Sequence, residues 1–126
     1  ARALCQLATS PRLAGKTRCL LLDEPTASLD PAHQVRVLGA IRRQSALGLA
    51  VLVVLHDLNL ASAVADRILL LKRGRMAASG PPAEVLREDV LSAAYDCRIS
   101  VVASADAARP LVLPPFVSSP PASWVN

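Results

Sequence analysis

Cys-Leu-Leu-Leu-Asp-Glu-Pro-Thr-Ala-Ser-Leu-Asp, residues 19–30, sets two adjacent carboxylates, Asp23 and Glu24, directly after a short and wholly apolar run. A run of that length, bounded by Pro25, reads as a strand covered on both faces, the pattern of parallel sheets in α/β proteins. Such sheets place their ligands outside the carboxyl ends of the strands, which is where this acid pair is delivered. Taken alone the pair has a plainer reading, because strand ends leading into turns are often polar. A second apolar strand, predicted over 49–55, ends in a similar way at His56-Asp57. The two strands would each present a titratable group at their ends.

The rest of the chain divides at its punctuation. Residues 1–9 have helix-forming composition, and Ser10-Pro11 ends them because a residue before proline is pushed out of the α region. The predicted helix begins with no capping signal, as though entered partway along. A strand follows over 18–23. Asp30-Pro31 supplies an N-cap and then proline at the first helical position, predicting a helix to about residue 46. Val35, Leu38 and Ile41 or Arg42 would share its buried side, and Gly48 would close it. Asp57 can cap a short helix through 64. Strands over 68–71 and 76–79, joined by Lys72-Arg73-Gly74-Arg75, read as a hairpin with Gly74 in the turn. After Gly80-Pro81-Pro82 come two short helices, 83–87 and 89–95, and a strand near 99–102. Five prolines lie between 110 and 126, which argues against regular structure there and predicts a disordered tail.

Whole-chain totals narrow the function classes. At 126 residues the chain is long enough for one domain and too short for two. Hydrophobic residues make up 52% and aromatics only 2%, so the core must be built from Leu, Val, Ile and Ala. Charges interrupt every apolar segment before it reaches the roughly 18 to 20 residues that span a bilayer. Residues 1–8 lack the cationic leader and long apolar stretch of a secretory signal. Cys5, Cys19 and Cys97 are three thiols with no CxxC spacing, so free cysteines in a reducing compartment, the cytoplasm, are expected. The net charge is +4. Its cations are scattered, nearly all Arg, without a basic stripe or interleaved aromatics, so nucleic acid is not expected as a partner.

The string LLLDEPTASLD at 20–30, taken with VLVVLHDLNLA at 51–61, closely resembles the Walker B, D-loop and H-loop segments of ATP-binding cassette (ABC) ATPases. The resemblance runs from residue 1 to about 114. Within that superfamily the HDLNLA run, the AHQ after the D-loop, GPPAEVL and RPLVLP look most like the ATPase subunit of haem importers, with siderophore and cobalamin importers as near neighbours. The implied fold is α/β, the C-terminal part of a P-loop NTPase domain. Its sheet would be mainly parallel and flanked by helices, with a small C-terminal hairpin and short helices. Residues 1–113 would form the partial ATPase domain and 114–126 a proline-rich tail.

The same resemblance implies an ATP- and Mg²⁺-dependent chemistry residue by residue. Asp23 matches the Walker B aspartate that holds the metal, and one well-placed carboxylate suffices for an ion that keeps much of its water. Glu24 matches the catalytic glutamate that polarises the attacking water. His56 matches the switch histidine, a donor toward the γ-phosphate. Ser28 and Asp30 lie in the D-loop, which crosses the interface of a head-to-tail dimer. Here it reads Ala-Ser-Leu-Asp where Ser-Ala-Leu-Asp is usual, and Asp30 doubles as a helix cap. The implied partners are a second ATPase subunit, a transmembrane permease and, indirectly, a substrate-binding protein, at the cytoplasmic face of a membrane. Leu-Ala-Gly-Lys-Thr at 13–17 is a decoy for the phosphate-binding loop, since GxxxxGK[ST] needs glycine where Ser10 stands. The Walker A, Q-loop and signature motifs would lie upstream, so the chain alone is expected to be inactive. A non-catalytic remnant that only binds partner subunits is the alternative, and a soluble ABC protein of translation or repair is disfavoured by the importer-like strings. His33 carries no such context and reads as a surface residue.

Overall fold

The computed structural model describes residues 2–7 and 18–115. Among these residues seven strands and four helices follow one another as β1 Arg2–Leu7, β2 Cys19–Asp23, α1 Pro31–Ala46, β3 Ala50–Leu55, α2 Leu58–Val64, β4 Arg67–Lys72, β5 Arg75–Gly80, α3 Pro82–Val85, α4 Glu88–Tyr95, β6 Ser100–Val102 and β7 Leu111–Leu113. The main sheet has the order β2-β3-β1-β4-β5, and β6 pairs with β7 in a separate two-stranded ribbon. β2 and β3 are parallel, in the register Cys19 opposite Ala50 through Asp23 opposite Val54. β1 runs antiparallel to both β3 and β4, so β2, β3 and β4 share one direction while β1 and β5 oppose them. The sheet is therefore mixed, within the α/β class.

Residues 2–7 are a strand, where helix-forming composition predicts a helix. Its position explains why. β3, α2 and β4 form a crossover that leaves one strand's width between β3 and β4, and each would otherwise present an unpaired edge. β1 fills that gap with ladders on both sides, Ala3 opposite Leu55 and Leu70, Cys5 opposite Val53 and Ile68. Two ladders outweigh a local helix preference that amounts to tenths of a kcal/mol per residue.

Period-two alternation then sorts the side chains. Ala3, Cys5, Val51, Val53, Leu55, Ile68 and Leu70 share one face and are buried. The helices complete that single core with Leu38, Ile41, Ala61, Ala65, Val85, Leu86, Leu91 and Ala94. The opposite face, carrying Cys19, Leu21, Leu52 and Val54, is exposed or half-buried, and Leu21 is 69% exposed. The apolar strands predicted to be covered on both faces are thus covered on one among the described residues.

Smaller features follow from local chemistry. Asp30 caps α1 by accepting from His33 N, and proline stands at the first helical position, as predicted. The buried stripe of α1 is Leu38, Ile41 and Ser45, while Val35, predicted to join it, lies on the exposed side. Arg73 and Gly74 both take positive φ, 50° and 72°, the two-residue turn whose twist matches a β-hairpin. Pro110 does not prevent regular structure in its neighbourhood: β7 follows it directly, since proline is tolerated at a strand's entry. The remainder of the predicted tail, from 116, and the decoy at 13–17 lie outside the described residues.

Candidate functional site at the carboxyl ends of β2 and β3

Parallel pairing puts the last residues of β2 and β3 side by side, and the ladder carries on one step as Glu24 N donates to Val54 O at 2.9 Å. At Glu24 the chain leaves the sheet through a left-handed conformation, φ 51°. Pro25 then starts a compact turn held by Ala27 N to Glu24 O at 3.1 Å and Leu29 N to Thr26 O at 3.3 Å, over a buried Thr26. Ser28 in the same turn also has positive φ, 61°. Two non-glycine residues in this region within one short loop store backbone strain of about 1–3 kcal/mol each, a cost that clusters where geometry is functional.

That turn aims Glu24 at the neighbouring strand's end. Its Oε1 meets Nε2 of His56, the residue after β3, and the Arg2 guanidinium stands 3.9 Å from the same oxygen. Glu24 is 30% exposed and His56 56% exposed as side chains, so the pair lies open to a ligand at the sheet's carboxyl edge. The next residue along, Asp57, holds the backbone of His56 in place. Its Oδ1 accepts from Asn59 N at 2.8 Å and Leu60 N at 3.1 Å, satisfying two of the free donors at the start of α2.

The other predicted residues sit nearby without joining this pair. Asp23 ends β2 on the exposed face with Leu21 and makes no ion pair among the described residues. Ser28 is exposed in the turn. Asp30 is exposed and bound to His33, through the backbone N–H at 2.9 Å and Nδ1 at 2.6 Å. The His33 N–H, then its ring, hold the Asp30 carboxyl below its usual range. His33 is thus on the surface, as predicted, with a role in the cap that sequence reasoning did not assign. Arg2 was also missed, because its approach to Glu24 exists only once residues 2–7 form a strand.

Asp23 offers a single exposed carboxylate at the end of β2, an oxygen donor of the kind that hard cations take. Among the described residues no group of three or more His, Cys, Asp or Glu is gathered to enclose an ion. An ion at Asp23 would take that single carboxylate and complete its shell with water and phosphate oxygens, which Mg²⁺ accepts and Zn²⁺ does not.

No family model matches the chain. It is 46% identical over 114 residues to the hemin import ATP-binding protein HmuV of Mesorhizobium japonicum, an alignment covering 90% of this chain and 43% of that protein. The HmuV of Rhodococcus jostii is 50% identical over 102 residues, covering 81% and 35%, and that of Burkholderia pseudomallei 45% identical over 115 residues, covering 90% and 42%. The chain thus spans less than half the length of these relatives. Among solved structures, one described as a metal-chelate type ABC transporter in an inward-facing conformation superimposes with a TM-score of 0.65 at 27% identity, over 80% of this chain and 42% of that one. In sequence and in fold the chain matches the C-terminal part of the ATP-binding proteins of ABC transporters, and the hemin importers among them are the relatives it resembles.

Proposed function

We propose that the chain carries the water-activating half of an ATP-hydrolysing site, in a subunit that energises import of hemin or a related iron chelate. The observation that carries this is the Glu24–His56 contact at the carboxyl ends of two adjacent parallel strands. A carboxylate there can accept the proton of an attacking water, and an imidazole bound to it is held with its ring toward the same space. Asp23, one residue earlier and in no ion pair among the described residues, would hold Mg²⁺, which supplies charge neutralisation for the phosphates when bound. Ser28 and Asp30, on the exposed turn beyond Pro25, would face a second ATPase subunit in a head-to-tail dimer.

The remaining assignments rest on the hemin importers that the chain resembles. The subunit would sit peripherally at the cytoplasmic face of a membrane, against a permease supplied by a substrate-binding protein. Among the described residues no helix is long and apolar enough to cross a membrane. The sequence contains no GxxxxGK[ST] loop, and the backbone cradle of such a loop supplies most of the grip on a triphosphate. The chain alone is therefore expected neither to bind Mg-ATP tightly nor to hydrolyse it.

Two measurements test this. Calorimetric titration of the chain with Mg-ATP should give no micromolar binding. With the preceding segment of the Mesorhizobium relative joined to residue 1, ATP hydrolysis should appear, and Glu24→Gln should lower it about 10²- to 10⁴-fold. Turnover within a few-fold of the parent would remove Glu24 from the mechanism.

A further inference from the structure

We infer that the segment between Ser104 and Val112 is a strap that positions His56, acting through α2, with Arg109 and Asn59 as its two anchoring residues. α2 has only seven residues, too few to be stable or precisely placed by its own hydrogen bonds. Its position must come from outside contacts. At its start those contacts are the Asp57 cap, adjacent to His56. Farther along, its apolar side packs on β1 and β3, and its polar contacts come from chain distant in sequence.

Arg109 Nη1 donates to Ser62 O at 2.5 Å and Ala65 O at 3.2 Å, taking up carbonyls that a helix end leaves without partners. Beside it Ser62 Oγ donates to Pro110 O at 2.7 Å. One turn earlier the Asn59 side chain grips the backbone of Val112 from both sides, donating to its carbonyl at 3.0 Å and accepting from its N–H at 2.7 Å. From the other flank Arg42 on α1 donates to Val64 O at 3.3 Å and to both Asp66 oxygens at 2.9 Å.

The strap is itself folded. Ser104 Oγ lies 2.7 Å from the carbonyl oxygens of both Asp106 and Arg109, its one proton serving the two, Arg109 N donates to Asp106 O at 2.9 Å, and Val112 is paired with Val101 in the β6–β7 ribbon. A rigid segment is therefore bonded along two turns of a helix whose first cap adjoins His56. Asn59 is three residues from the imidazole, and its paired bonds fix the rotation of α2 about its axis. That rotation sets where the ring meets Glu24.

The inference concerns placement of the Glu24–His56 pair, and its use in ATP hydrolysis rests on the function proposed above. The test reads placement directly and needs no activity. In the full chain with isotope-labelled histidine, the imidazole signals of His56 and His33 are recorded at fixed pH, with Glu24→Gln marking where His56 falls once its partner is altered. Arg109→Met and Asn59→Ala should each move the His56 signals toward that position and leave His33 in place. Arg109→Lys, which still donates one hydrogen bond to the helix end, should move them less. Should Arg109→Met fail to fold, Asn59→Asp, which keeps the acceptor for Val112 N and loses the donor, gives the same comparison in a milder form. His56 signals unchanged while α2 loses amide protection would show that the strap merely stabilises the helix, and would overturn the inference. Failure of the ATPase proposal would appear elsewhere, as absent hydrolysis in the joined chain.

Discussion

Cys5 offers a direct measure of how firmly β1 is seated between β3 and β4. Its side chain is fully buried, and that burial pushes the thiol up from 9.0 to about 12. Only the thiolate reacts with an alkylating reagent. At pH 8 an ordinary thiol at 9.0 is about one-tenth thiolate, and one held at about 12 is about one ten-thousandth thiolate. The seated strand should thus lower the reaction rate about a thousandfold even for a reagent that could reach the sulfur.

The same figure sets the range of the assay. Reaction through a transiently released β1 would proceed at the ordinary rate times the fraction released. A thousandfold protection therefore also requires release to cost at least about 4 kcal/mol, at 1.36 kcal/mol per tenfold. The measurement uses single-thiol variants, Cys5 retained in one and the exposed Cys97 in the other, labelled with iodoacetamide at pH 8 and followed by mass spectrometry. Cys5 should label about a thousandfold more slowly, and denaturant should erase the difference. Labelling of Cys5 within about tenfold of Cys97 would mean that release costs under about 1.4 kcal/mol. The two-sided ladder would then be refuted, and with it the approach of Arg2 to Glu24.

Asp57→Ala removes the acceptor for Asn59 N and Leu60 N. It should cost about 1 kcal/mol, with a range of about 0.5–2, and speed amide exchange in α2 at Ala61 and Ala65 about fivefold, whereas Asp57→Asn should leave both nearly as they are. Asp96 is held below its ordinary 3.8 chiefly by the hydrogen bond from Lys72, and Asp30 by His33. In both cases the folded carboxyl binds its proton less readily than the unfolded one. Their contribution is therefore complete above the ordinary carboxylate value and lost as pH falls through the lower folded values. Denaturant melts between pH 6 and pH 2 should show stability declining below about pH 4, with a shallower decline in Asp96→Asn.

What the sequence disclosed and what it hid divide along the range of the interactions involved. The β2 and β3 runs, the Asp30 and Asp57 caps and the Arg73-Gly74 turn are each specified within a few residues, by apolar runs, side-chain acceptors and positive φ, and each is where the sequence predicts. Asp23, Glu24 and His56 were legible because each stands at the end of such a run, and parallel pairing of the runs sets the two strand ends side by side. Residues 2–7 depart from the expected helix because their composition states only a weak helix preference, while the two strand edges that override it lie far along the chain in β3 and β4. Position 35 was misread for a related reason: spacing alone offers Val35, Leu38 and Ile41 as one side, and only the packing of α1 on β3 selects the stripe that continues to Ser45. The strap was illegible altogether. Asn59 and Arg109 carry no motif, and their meaning lies in backbone atoms of Val112, Ser62 and Ala65 that only the folded chain brings within reach. A polar side chain bonded to distant backbone leaves no periodicity, so the residues that hold a site in place are the ones a sequence declares least.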